Sequence, residues 1–242
     1  MRWVTYFPEI HNVHLTKDVG LLPYHMGLLP GVEASLVGRF SKPEYPALDT
    51  EVRGLHTVHL EFKGNAAFLD RAFTDYLKEH AGQIDILQLY HLSRHTLIYG
   101  LYYKRFNPNG KLYLKLDGYN DHFRSRKRYA RGVVKNALLK ATERRFMRAV
   151  DLVSIENTEG VDIVAGTYPM LGEKLFYLPN GANDFYIDRC VEQPAPKEKV
   201  MMSVGRPGSP EKNYELLIAA LPFLRLDGWR IEVVGPCTPE FL

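Results

Sequence analysis

The sequence predicts an α/β protein: a parallel sheet flanked by helices over residues 1–185, a linker over 186–198, and the incomplete start of a second, similar domain over 199–242. Three observations carry this expectation. Short apolar runs alternate with longer segments of helical spacing along most of the chain. A charged stretch containing Pro194 and Pro196 then interrupts the alternation. After it a new strand–loop–helix–strand begins, with 44 residues available from 199 to 242, where a doubly wound domain takes about 100 or more.

The elements follow in order. Arg2–Phe7 reads as a first strand, and Lys17–Leu29 as largely helical, with Pro23 tolerable near a first turn. Glu33–Val37 and Thr57–Phe62 are strands joined by a polar, proline-bearing connection. Asn65–His80 has helical spacing, with Gly82 as its stop. Ile84–Tyr90 is an apolar strand, and Ser93–Phe106 a helix closed by the turn sequence Asn107-Pro108-Asn109-Gly110. Leu112–Leu116 is a strand. Phe123–Val150 is a long helical region whose apolar face is read at Val133, Ala137, Ala141 and at Val134, Leu138. Leu152–Ile155, Thr158–Leu171 and Leu175–Leu178 make another strand–helix–strand unit. Beyond the linker come a strand at Lys199–Val204, a helix at Tyr214–Leu224 and a strand at Trp229–Val234.

Composition narrows the class. Of 242 residues, 45% are hydrophobic and 24% charged, ordinary for a globular protein. The two cysteines, Cys190 and Cys237, are far apart. They argue for a reducing cytosol and against a disulfide framework or structural zinc site. No apolar run is long enough to span a bilayer, and the start of the chain lacks a signal-peptide cleavage site. The formal charge of +3 hides an asymmetry: from His122 to Val150 ten cations stand against Glu143, a net of +9, so the remainder carries −6.

The segment from Ser203 to Asn213 carries the strongest chemical signal. An apolar strand runs into a loop with Gly205, Arg206, Gly208 and Lys212, and a helix follows. Glycine permits close approach of backbone to ligand, and the guanidinium and ammonium can neutralise a diphosphate as fork and point charge. The loop matches neither a GxxxxGK[ST] phosphate loop nor a GxGxxG dinucleotide fingerprint. The absence of GxGxxG after the first strand likewise disfavours a nicotinamide-dependent oxidoreductase.

The stretch SVGRPGSPEKNYELLIAAL (203–221) resembles the diphosphate-binding segment of retaining GT-B glycosyltransferases of the GT4 type, the glycosyl transferases group 1. YLPNGAN (177–183) is similar to that family's entry to its interdomain linker, with Asn183 where Asp is usual, and WRIEVVGPC (229–237) to its next strand. KDVGLLPYHM, DILQLYHLSRHT, FNPNGKLYLKLDG and LVSIENTEG look like the acceptor domain of polysaccharide-type members. The resemblance implies a Rossmann-like amino-terminal domain and a truncated second one. It implies transfer of a sugar from a nucleoside-diphosphate sugar, with retention, to a cell-surface polysaccharide or lipid-linked acceptor. No metal or other cofactor is expected, since Arg206 and Lys212 would bind the donor diphosphate with Gly205. Gly20, placed in the loop after the first strand, would lie near the donor phosphates or the acceptor. His91 would be the catalytic histidine facing the transferred sugar. The family's pair of donor-side glutamates lies beyond Leu242; Glu232 and Glu240 share the spacing but not the glycine-rich context. The chain by itself is therefore expected to be inactive.

Arg124, Arg126, Lys127, Arg128 and Arg131 form a basic patch read as a solvated helix face or as a surface for anionic lipid and a lipid-diphosphate acceptor. The lack of aromatic interleaving disfavours nucleic acid. A cytoplasmic protein, peripheral on the inner face of the membrane, is the matching location. Asp18, Asp117 and Glu156 are lesser candidates, read as cleft-lining groups or as caps and turns. The competing class is a non-catalytic lipid- or partner-binding module. The strands of the 199–242 segment should expose apolar faces, and either be disordered or self-associate through them.

Overall fold

The computed structural model describes residues 1–61, 71–117, 133–192, 196–210, 212–237 and 241. They form two compact units, Met1–Ile187 and Asp188–Leu242. The first is built on seven parallel strands in the order β3-β2-β1-β4-β5-β6-β7. These are β1 (Arg2–Ile10), β2 (Glu33–Phe40), β3 (His56–His59), β4 (Ile86–Tyr90), β5 (Lys111–Leu116), β6 (Leu152–Ile155) and β7 (Leu175–Tyr177). Helices connect them: α1 (Asn12–Leu15), α2 (Asp18–Gly27), α3 (Arg71–His80), α4 (Arg94–Phe106), α5 (Val133–Ala149) and α6 (Thr158–Thr167). The order reverses between β1 and β4, which opens a crevice at the carboxyl ends of those strands.

Alternation along the strands sorts the core. In β5 Leu112, Leu114 and Leu116 join one large buried cluster with Phe73, Tyr99 and Phe146, while Tyr113 and Lys115 point to the opposite face. That opposite face is polar at the sheet centre. The Gln88 amide carbonyl accepts from Trp3 Nε1 at 3.1 Å and Thr5 Oγ1 at 2.9 Å. Tyr113 Oη and Ser154 Oγ share a hydrogen bond of 2.7 Å. A second cluster, with Ile10, Leu15, Val19 and Leu36, ties α1 and α2 to β1 and β2.

Several sequence expectations are corrected. β1 continues past Pro8 to Ile10 because the register against β2 shifts between Phe7 and Glu9, a bulge that accommodates a residue without an N–H. Pro23 lies in the middle of α2 rather than its first turn. The apolar face read on α5 is out of phase: Ala137, Leu138 and Ala141 are exposed, and the buried stripe runs through Glu143, Phe146, Met147 and Val150. The bulky Phe146–Met147 pair sets the phase, and Glu143 is tolerated inside because the Tyr168 hydroxyl bonds its carboxylate. Asp184–Glu192 form a helix, α7, that runs into the stretch read as a linker, with the prolines beyond it. Asn183 begins that helix, its side-chain carbonyl accepting from the Phe185 N–H at 3.1 Å, the capping work an aspartate would do.

The second unit pairs β8 (Val200–Val204) with β9 (Arg230–Val234) in parallel, and α8 (Tyr214–Ala220) lies between them in sequence. The apolar strand faces expected to be exposed are exposed, Met202 at 62% and Val204 at 73%. Gly205 donates its N–H to Val234 O at 2.9 Å. Gly235, at φ 144°, approaches so closely that a Cβ there would sit 1.8 Å from Gly205 O.

Candidate functional site

Five strand ends of the first unit bring polar and charged groups to one place. Asp18 follows β1 at the start of α2, His91 follows β4, Lys115 and Asp117 close β5, Glu156 follows β6, and Asn180 follows β7. Parallel strands deliver these residues to the same edge of the sheet, which is why α/β folds bind ligands there. Asp18, Lys115, Asp117, Glu156 and Asn180 line a cavity of about 840 Å³, with Tyr186 on its wall.

Lys115 is the centre of this arrangement. Its side chain is 2% exposed, and Nζ lies 2.5 Å from Glu156 Oε1, 3.2 Å from Asp18 Oδ2 and 3.1 Å from Asn180 Oδ1. Burial alone would lower the Lys115 pKa, but the Glu156 hydrogen bond and the charges of Asp18 and Glu156 outweigh it and hold the pKa above its ordinary value. Asp18 Oδ2 is buried without a hydrogen bond, so its attachment to the ammonium is electrostatic. Its own backbone is fixed from below. The Gln88 amide donates to Tyr90 Oη at 2.9 Å, and Tyr90 Oη donates to the Asp18 carbonyl at 2.9 Å. Burial pushes the Tyr90 phenol far above its usual range, with the Asp18 charge adding to it, so it stays a donor.

Oxygens of Asp18, Asp117 and Glu156 all lie within 4.8 Å of one another, a spacing a cation could bridge. The Lys115 ammonium already occupies ion-pair positions on two of them. Asp117 instead pairs with His91, whose Nδ1 is 3.3 Å from Oδ2. Burial raises the Asp117 pKa; His91 works against this, and the Glu156 and Asp18 charges add to it. A carboxylate beside Nδ1 favours the proton there and leaves Nε2 free to accept. His91 holds φ 55°, the left-handed region that few non-glycine residues adopt, while its N–H bonds Lys115 O at 3.1 Å. The chain thus turns sharply after β4 yet keeps its tie to β5. Ser93 then starts α4, its hydroxyl accepting from the Thr96 N–H at 3.1 Å.

Gly20 is not in a loop. It is buried in α2, where a Cβ would lie 2.3 Å from Leu15 O and 2.5 Å from Leu15 Cα. Its small size lets α1 fold against α2. Gly20→Ala is expected to cost about 1–3 kcal/mol by overpacking, read as a lower denaturant midpoint at unchanged slope; an unchanged midpoint would show that α1 gives way freely.

In the second unit, the loop after β8 holds Gly205, Arg206 and Lys212. Its turns are closed by Ser209 N–H to Arg206 O at 3.1 Å and Lys212 N–H to Ser209 O at 3.0 Å. Tyr214 packs beneath it, its hydroxyl 3.0 Å from Ser203 Oγ; a Cβ on Gly205 would lie 2.6 Å from that hydroxyl. Both cations are exposed. Arg124, Arg126, Lys127, Arg128 and Arg131 lie outside the described residues. No helix among the described residues is long and apolar enough to cross a membrane.

Lys115 was not singled out from sequence. Its signal lies in KLYLKL, where Lys115 is the one cation within the apolar run that begins at Leu112.

The sequence matches no protein-family model and no curated protein. Solved structures do resemble it in fold. Sucrose-phosphate synthase from Thermosynechococcus elongatus aligns with 99% of this chain and 63% of its own at 12% identity, TM-score 0.62. A glycosyltransferase from Rickettsia africae aligns with 97% of this chain and 60% of its own at 11% identity, TM-score 0.60. UDP-GlcNAc 2-epimerase from Neisseria meningitidis, bound to UDP-GlcNAc, aligns with 100% of this chain and 67% of its own at 10% identity, TM-score 0.57. The fold is that of the Rossmann-like domains of GT-B proteins, and the chain spans about three-fifths to two-thirds of the length of these neighbours.

Proposed function

We propose that the complete protein is a glycosyltransferase of the GT4 type that moves a sugar from a nucleoside-diphosphate sugar, with retention, to a cell-surface polysaccharide or lipid-linked acceptor. The observation that carries this reading is the convergence of Asp117, Lys115, Glu156 and Asp18 around one cavity at the carboxyl edge of the sheet, with His91 paired to Asp117. The fold it shares with glycosyltransferases and with a UDP-GlcNAc-binding epimerase supports the reading.

In this scheme Arg206 and Lys212 neutralise the departing diphosphate, with Gly205 allowing close approach, and no metal is needed for that charge. His91 Nε2 contacts the transferred sugar, its ring oriented by Asp117. Gly20 acts indirectly by seating α1 against α2, and so setting the position of Asp18. The basic patch from Arg124 to Arg131 docks the enzyme on anionic lipid at the cytoplasmic face of the membrane. The exposed apolar strands of the second unit are a surface for self-association.

The test uses the complete protein and a panel of nucleoside-diphosphate sugars, following release of the free diphosphate. Arg206→Ala and Lys212→Ala should each cut turnover by about 100-fold or more while leaving the circular dichroism and unfolding midpoint unchanged. Near-normal turnover in both variants would sink the assignment. Binding of anionic liposomes with no turnover of any donor would favour the non-catalytic module.

A further inference from the structure

The cavity at the carboxyl edge is unevenly charged. Three carboxylates, Asp18, Asp117 and Glu156, line it against one buried ammonium. Lys115 Nζ donates to Glu156 and Asn180 and is ion-paired with Asp18, and its side chain is only 2% exposed, so little of it faces a ligand. Asp117 lies outside the ion pairs of Lys115 and faces the half-exposed imidazole of His91. Lys17 and His25 also line the cavity, and Lys17 is exposed to solvent. Among the lining residues, three carboxylates thus outnumber the two ammoniums, one buried and one exposed.

We propose that this cavity receives an uncharged, hydroxyl-rich sugar end of the acceptor, and that it excludes acceptors bearing a phosphate or carboxylate beside the reacting hydroxyl. The proposal rests on the glycosyl-transfer reading and narrows it to one acceptor class. Carboxylates accept and cannot donate, so they match sugar O–H groups, and such charge-assisted bonds are short and strong. The Asn180 side chain and the Tyr186 ring add neutral contacts suited to a polyol. An anion in the same place would meet three carboxylates in a partly desolvated site, set against the ion-paired Lys115 and the exposed Lys17 as its two lining ammoniums. At about 840 Å³ the cavity lies in the range that holds small organic ligands, with room for one or two sugar rings.

The experiment compares matched pairs on the complete protein by titration calorimetry at fixed ionic strength. Methyl hexopyranosides and disaccharides form one arm; the corresponding hexose 6-phosphates and uronic acids form the other. UDP is titrated separately. The neutral member of each pair should bind at least about tenfold more tightly, and Asp117→Asn or Glu156→Gln should shrink that ratio. Anionic members binding as well or better overturns the proposal, as does a panel in which no neutral sugar binds. Should either variant fail to fold, the matched pairs on the unmodified protein still decide. Failure of UDP to bind while neutral sugars are preferred sinks only the transfer reading; UDP binding with a preference for anionic sugars sinks only the present inference.

Discussion

Lys115→Met is expected to lower the stability of the amino-terminal unit by about 3–5 kcal/mol, the usual cost of removing one partner from a buried ion pair. The loss arises because Asp18 and Glu156 keep their charges and their burial while the ammonium that compensates both is gone. Lys115→Met combined with Glu156→Gln should recover part of it, since one of the stranded charges is then removed too, and the two effects should not add. The pH dependence has a definite sign. Although burial works against the ammonium, its carboxylate partners raise the folded pKa above an unfolded value of about 10.4. The stabilisation is therefore fully present below that value and is lost as pH rises through the raised folded pKa. Denaturant midpoints should show an alkaline decline in the wild type that is absent from Lys115→Met. Equal midpoints for the two proteins at neutral pH would mean that the carboxylates find other compensation.

His91→Ala should reduce turnover of the complete protein by about 100-fold or more with little change in the donor KM, as expected for a group acting on the reacting sugar rather than on donor binding. Asp117→Asn tests the pairing behind it. Burial, opposed by His91 and reinforced by Glu156 and Asp18, lifts the Asp117 pKa above its ordinary value. Turnover should therefore rise with pH as Asp117 ionises through that raised pKa, and this acid limb should vanish in Asp117→Asn. A retained acid limb in the variant would assign it to another group and reduce Asp117 to a structural neighbour. The left-handed turn at His91 makes His91→Gly a useful companion, because it removes the imidazole while favouring the observed backbone.

The fold was legible where local pattern and tertiary role agree. The Leu152–Ile155 strand has the bounds its apolar run suggests, and Ser93 starts a helix as its residue type favours. The readings that failed did so where a distant contact overrides a local pattern. Ala137 and Ala141 have helical spacing, but the bulk of Phe146 and Met147 decides which face of α5 turns inward. Gly20 suggested a loop, although close packing on Leu15 accounts for it in a helix.

The site was legible only in pieces. Asp18, His91, Asp117 and Glu156 could each be noted as residues following a strand, yet nothing local shows that Asp18, Glu156 and Asn180 converge on one ammonium while Asp117 pairs with His91. Lys115 escapes a local reading because a lysine in a strand ordinarily marks a solvent-facing position, as Lys111 does in the same strand. Its partners are 97, 41 and 65 residues away in the chain, a relation only the sheet order creates.

The contact between Gly205 and Gly235 has a mechanical meaning. With the Gly205 N–H bonded to Val234 O and no room for a single added carbon between the two glycines, the loops after β8 and β9 behave as one hinged plate. A displacement of the Arg206 loop therefore meets the end of β9 at that contact, and the two loops are expected to move together.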